Sequence, residues 1–155
     1  MVVKITHLQS ATQLITLGET SILTDPWLTG GEYYGSWYHY PPFPEEKIDH
    51  LKYDFIYVSH IHPDHLSEQT FRKIEKKPVL IHKFASKFLK IKLELYGFEV
   101  IELQHAEPFV LDNGASVTIY AADNCDPLLC GKLFGCYTLP TTNGSLQIDT
   151  LSKFE

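Results

Sequence analysis

Runs of apolar and β-branched residues, separated by Gly or polar links, open the chain. Val2 to Thr6 and Thr12 to Thr16 read as strands joined at His7 to Ala11, and Gly18-Glu19 turns into a third strand, Thr20 to Thr24. The apolar run Phe55-Ile56-Tyr57-Val58 reads as a buried strand spanning Asp54 to Ser59. Ser67-Glu68-Gln69-Thr70 is a helix start, with Ser67 as N-cap, an acid in the first turn, and Phe71 and Ile74 facing inward. Pro78 to His82 is the next strand. Phe84, Phe88, Ile91 and Leu95 then recur at a helical period, and Gly97 supplies the stop. Phe98 to Leu103 is a strand. Asp112-Asn113-Gly114 and Thr142-Asn143-Gly144 each mark a hairpin turn between strand-like runs. Strands alternating with helices predict an α/β domain of mixed sheets and flanking helices.

Between Trp27 and Glu46 no periodicity holds. The stretch contains Gly30-Gly31, then Tyr33, Tyr34, Trp37, Tyr38, His39 and Tyr40, then Pro41-Pro42-Phe43-Pro44. A connection this long is usually functional or disordered, and a disordered one is rarely so aromatic. Trp27, Trp37 and Tyr38 are expected to wall a small-molecule site; a loop packed down by its own rings is the compatible alternative.

The chemistry concentrates in Ser59-His60-Ile61-His62-Pro63-Asp64-His65, directly after the buried strand. Alternate residues of an extended segment share a face, so His60 and His62 can address one ion. Pro63 keeps His62 extended, and the turn beyond it brings Asp64 and His65 in from another side. Imidazole suits zinc, iron or manganese, and a carboxylate beside it suits a second, water-bearing ion. The alternative is a polar strand end rich in histidine by accident.

H-x-H-x-D-H after a strand resembles the signature of the metallo-β-lactamase superfamily, matched by His60, His62, Asp64 and His65. Thr24-Asp25-Pro26-Trp27-Leu28 resembles the strand end of its lactonase and phospholipase D-like branch. The run through Gly35-Ser36-Trp37, with His60 to Ser67, is similar to the metallo-hydrolase part of the CMP-N-acetylneuraminate hydroxylases. The resemblance implies an αββα sandwich, of which this chain would form the N-terminal half. It implies that His60 and His62 hold a first ion, and Asp64 and His65 a second. Asp64 could also orient the nucleophile. Asp25 is expected to orient a ligand imidazole; a plain Asp-Pro turn is the alternative.

Three departures qualify the resemblance. The third histidine of the first ion is absent where the sequence reads Asp123-Asn124, leaving Asp123 as ligand by position and favouring a harder ion such as iron or manganese over zinc. Gln9-Ser10 stands where the lactonase branch carries Gly-His, with His7 nearby. His82 and His105 are further, weaker candidates. The bridging carboxylate and final histidine of the superfamily are not found, Asp149-Thr150 being a faint match with Ile148 in place of glycine, so the chain is expected to be incomplete and its second ion site weak.

The implied activity is that of a metal-dependent hydrolase of an ester, lactone or phosphodiester, because a bound ion makes hydroxide available near neutral pH. Two alternatives stand beside it. One is a sugar-nucleotide hydroxylation component working with a separate iron–sulfur partner; the other is a metal-binding module without turnover. Composition adds bounds. At 155 residues the chain is one domain, residues 1–155. Its 13 Lys and Arg against 19 Asp and Glu give a net charge of −6, which argues against a nucleic-acid footprint. No apolar run approaches the ~20 residues of a membrane span. Cys125, Cys130 and Cys136 form no disulfide framework, zinc ribbon or Rieske pattern, and a reducing cytoplasm is their natural setting.

Overall fold

The computed structural model describes residues 3–120 in full, together with the backbone of residues 136–141 and 144–149. Strands β1 (Val3–Gln9), β2 (Thr12–Leu17) and β3 (Thr20–Thr24) form the expected meander. β4 (Phe55–Tyr57), β5 (Val79–His82) and β6 (Val100–Leu103) extend it into a six-stranded sheet in chain order. The β1–β2 and β2–β3 pairs are antiparallel, whereas β3, β4, β5 and β6 run parallel. Parallel neighbours require crossovers. These are the aromatic loop with a 3₁₀ turn at Glu45–His50, the histidine segment with helix α1 (Glu68–Phe71), and helix α2 (Phe88–Leu95).

The sheet is covered on both faces, which is why β4 and β5 are apolar without alternation. Ile56, Val79 and Ile81 face the helical layer and join Leu66, Phe71, Leu89, Leu93 and Phe98. Tyr57 and Leu80 face the other way, onto Leu111, Val117 and Ile119. The latter group belongs to and flanks the hairpin of β7 (Pro108–Val110) and β8 (Ser116–Thr118), whose turn is the predicted Asp-Asn-Gly. The second predicted hairpin is also present, as β9 (Cys136–Thr141) and β10 (Gly144–Asp149). Asp123, Cys125 and Cys130 lie outside the described residues, as does the side chain of Cys136.

Both helices are shorter than their sequence patterns predict. Ser67 caps α1, accepting the Thr70 N–H at 3.3 Å, but the helix is one turn long and ends before Ile74. α2 corrects the periodicity more sharply. Phe88, Ile91 and Leu95, which carry the helical repeat, are 58%, 53% and 81% exposed, whereas Leu89 and Leu93 are buried. These two lie roughly two-fifths of a turn around the helix from that stripe. Leu89 and Leu93 are themselves an i, i+4 apolar pair and are the face packed into the core; Lys87 and Lys90 reach Glu102 on β6 at 2.7 and 3.1 Å beside it.

Candidate metal centre

The carboxyl ends of the parallel strands share one edge of the sheet, where open α/β sheets gather their ligands. Asp25 follows β3, the segment Ser59–His65 follows β4, His82 ends β5 and His105 lies just after β6. Thr24 is in register with Tyr57, and the Asp25 N–H donates to the Tyr57 carbonyl at 2.8 Å. That pairing sets Asp25 beside Ser59 although the two are 34 residues apart.

Asp25 is fully buried and adopts a positive φ of 41°. Aspartate tolerates this left-handed region better than most residues. The corner is held by Thr12, also fully buried, which donates to the Asp25 carbonyl at 2.8 Å and accepts the Trp27 N–H at 2.9 Å. The carboxylate is thereby aimed at the histidine segment. Oδ1 accepts the Ser59 N–H at 2.7 Å, and Oδ2 accepts the Ser59 hydroxyl at 2.8 Å and His65 Nδ1–H at 2.9 Å.

This arrangement decides which nitrogen of each ring is anchored. A serine hydroxyl has one proton, and Ser59 gives it to Asp25, so the Ser59–His60 contact of 2.9 Å must be donated by His60 Nδ1. His60 and His65 are therefore both anchored through Nδ1, and both present Nε2. His60 Nε2 in turn accepts His62 Nδ1–H at 2.9 Å, and the His60 and His65 rings pack tilted at 47° with centroids 4.0 Å apart. His60 and His62 lie beyond β4, which ends at Tyr57, so their nitrogens meet across an irregular segment rather than along the expected strand face. Burial pushes the His60 imidazole down to about 4, with His65 adding to the effect, so its ring is neutral at neutral pH.

Asp64 and His65 face each other, with Oδ2 3.4 Å from Nε2. Burial alone would raise the Asp64 carboxyl, but hydrogen bonds from His65 and Tyr33 outweigh it and hold the group well below the usual carboxylate range. For His65 burial is likewise outweighed, here by Asp25 and then Asp64, which lift the imidazole to about 9. Among the described residues no group of three or more His, Cys, Asp or Glu side chains is placed to hold an ion by itself. The donors meet as pairs, and Asp123, the expected completing ligand, lies outside those residues.

The aromatic loop reaches this centre at a residue that sequence reasoning missed. Tyr33 donates its phenol to Asp64 Oδ1 at 2.6 Å, and its ring packs on Trp37 at 4.8 Å. Glu32 is half-buried nearby; burial pushes its carboxyl up, and the charge of Asp64 adds to this. Of the three expected wall residues, Trp37 and Tyr38 are exposed, whereas Trp27 is only 3% exposed. The indole of Trp27 packs against His39 at 3.9 Å, behind the loop rather than on its open side. Tyr38 and His39 also line a cavity of about 180 Å³ with Leu28, Thr29, Phe43 and Glu45. His7 is bound to the Ser10 carbonyl at the β1–β2 turn. Burial pushes His82 down, with His105 adding to the effect.

The sequence profile of the beta-lactamase superfamily domain matches residues 4–125. The cytidine monophosphate-N-acetylneuraminic acid hydroxylase of Danio rerio is 34% identical over 76 residues, 48% of this chain but only 13% of that protein. A possible metal-dependent hydrolase of Veillonella parvula superposes with a TM-score of 0.66 at 16% identity, covering 95% of this chain and 61% of that one. CmlA, a diiron beta-hydroxylase of Streptomyces venezuelae, superposes with a TM-score of 0.62 at 19% identity over 96% of this chain and 29% of its own. At these identities the two structural likenesses are likenesses of fold.

Proposed function

The chain belongs to the beta-lactamase superfamily, and on that premise we propose that it is a metal-dependent hydrolase acting on an ester, lactone or phosphodiester of a small molecule. His60 and His62 would hold a first ion, with Asp123 as the positional candidate to complete it, and Asp64 and His65 a second. Zinc fits the imidazoles; iron or manganese fits the added carboxylates. When bound, such an ion supplies Lewis acidity and a water acidic enough to ionise near neutral pH.

The single observation that carries this reading is the anchoring of two imidazoles by one buried carboxylate. Asp25 engages His65 directly and His60 through Ser59. Both rings are held to the scaffold through Nδ1, as metal-ligating histidines are, so Nε2 is the nitrogen each would offer an ion in place of its contact with His62 or Asp64. The 3.4 Å between Asp64 Oδ2 and His65 Nε2 also fits, because two donors on one tetrahedral ion with bonds of ~2.1 Å stand about 3.4 Å apart. Asp64, kept ionised, would accept a hydrogen bond from the attacking water and orient it. Trp37 and Tyr38 would wall the substrate side. Among the described residues no helix is long and apolar enough to cross a membrane, and a reducing cytoplasm is the proposed compartment.

A second reading is favoured by the 34% identity to a hydroxylase across half of this chain. In it the fold binds a sugar nucleotide and works with a separate iron–sulfur partner. One preparation separates the readings. Elemental analysis of the purified chain, followed by assays on ester, lactone and phosphodiester panels, should find metal and turnover, both lost on replacing His60 and His62 by Ala with the circular dichroism spectrum preserved. Bound iron without hydrolysis would favour the hydroxylation component. Metal content unchanged in the double variant would overturn the ligand assignment.

A further inference from the structure

Nothing in the composition of the loop distinguishes Tyr33 from the other tyrosines around it, but its geometry does. Glu32 to Trp37 folds back on itself: the Glu32 N–H donates to the Trp37 carbonyl at 3.0 Å, and the Glu32 carbonyl accepts from Gly35, Ser36 and Trp37 at 3.1 to 3.2 Å. Tyr33, Tyr34 and Gly35 pass through this turn with positive φ of 50°, 58° and 78°. Left-handed conformation is unfavourable for a residue with a Cβ, so two tyrosines held there need compensation. Tyr34 is fully exposed and makes no packing return, whereas Tyr33 is turned inward onto Asp64.

We infer that Tyr33 is a positioning residue for the second ion: its hydroxyl occupies Asp64 Oδ1, so that Oδ2 alone faces His65 Nε2 and Asp64 ligates through one oxygen. A carboxylate free to rotate would present either oxygen, or both, and would lose that rotation on binding. Tethering one oxygen to the loop at 2.6 Å removes the freedom before the ion arrives. The same residue packs on Trp37, so one side chain joins the proposed substrate wall to the proposed ligand. The inference rests on the two-ion reading above.

Tyr33→Phe tests it, because the ring and its packing on Trp37 remain while the hydroxyl is removed. Zinc is titrated into the metal-free 155-residue chain against a chromophoric chelator, for wild type, Tyr33→Phe, Asp64→Asn and His60→Ala. In wild type the event abolished by Asp64→Asn defines the second ion, and the event abolished by His60→Ala the first. Tyr33→Phe is expected to weaken the second event by about 10–100-fold and leave the first unchanged. The melting temperature of the chelator-treated protein should fall by no more than the few degrees that the loss of one hydrogen bond costs. Equal affinity at the second event would overturn the inference while leaving the two-ion reading intact. So would weakening of both events together with a larger fall in the metal-free melting temperature, which marks a merely structural role. A wild type without any Asp64-dependent event would overturn the two-ion reading itself, and the inference with it.

Discussion

Asp25 accepts the Nδ1–H of His65 at 2.9 Å from forty residues earlier in the chain. The contact exists because β3 and β4 are parallel neighbours in register. Asp25 also receives the backbone and hydroxyl protons of Ser59, so one buried carboxylate satisfies three donors.

Replacing Asp25 by Ala should therefore cost stability before any ion is considered. Three donors would be left unpaired in a site sealed from water, and breaking a buried pair of this type typically costs about 3–5 kcal/mol. Chemical denaturation in the presence of a chelator measures it. A loss below 1 kcal/mol would show that the donors find other partners.

Two of the exposed rings of the aromatic loop should matter more to substrate than to stability. Trp37 and Tyr38 are 44% and 68% exposed, so truncating Tyr38 to Ala should remove little burial energy, and truncating Trp37, whose ring packs on Tyr33, somewhat more. Substrate affinity is expected to fall by about tenfold or more, read as KM on whichever ester, lactone or phosphodiester is turned over, with the melting temperature within a few degrees of wild type. An equal loss of melting temperature with KM untouched would assign the rings to packing alone.

His39 should contribute an acid-sensitive element to the loop. Its ring packs on Trp27, and its Nε2–H donates to the Trp27 carbonyl at 3.0 Å; burial pushes its imidazole below the ordinary 6.5. The unfolded chain thus takes up the proton first. The stabilising contribution is present above pH 6.5 and is lost as pH falls through the lower native value. Stability curves of wild type and His39→Gln should converge toward acid pH and separate above pH 6.5. Parallel curves would exclude this role.

On α2 the contrast of two leucines tests the observed phase of the helix. Leu93 is fully buried and Leu95 is 81% exposed. Leu93→Ala should cost about 2–5 kcal/mol, and Leu95→Ala no more than about 0.5 kcal/mol. The reverse order would restore the stripe that the periodicity suggests.

Residue order alone was enough to locate the strands, the turns and the histidine motif. Each depends on neighbours: β-branched runs, Asp-Asn-Gly, and a ligand cluster packed into Ser59 to His65. The resemblance carried by that motif extended the reading to the beta-lactamase superfamily and to a mixed α/β fold. Tertiary structure decided what depends on residues far apart in the chain. The inward face of α2 is the Leu89–Leu93 pair, packed in the core with Ile81 and Phe98, and not the longer stripe of Phe88, Ile91 and Leu95. Trp27 and Trp37 look alike in sequence, yet one is sealed behind His39 and the other is open, because the loop folds back only after Gly31. Tyr33 could not be told from Tyr34 by composition, since which of two adjacent tyrosines turns inward is set by backbone dihedrals. Ser59 stood beside the motif, but its role between Asp25 and His60 appears only when the parallel pairing of β3 and β4 brings the three together. A hydrogen bond between residues 34 apart leaves no local periodic trace in the sequence; the sheet register is the physical cause that creates it.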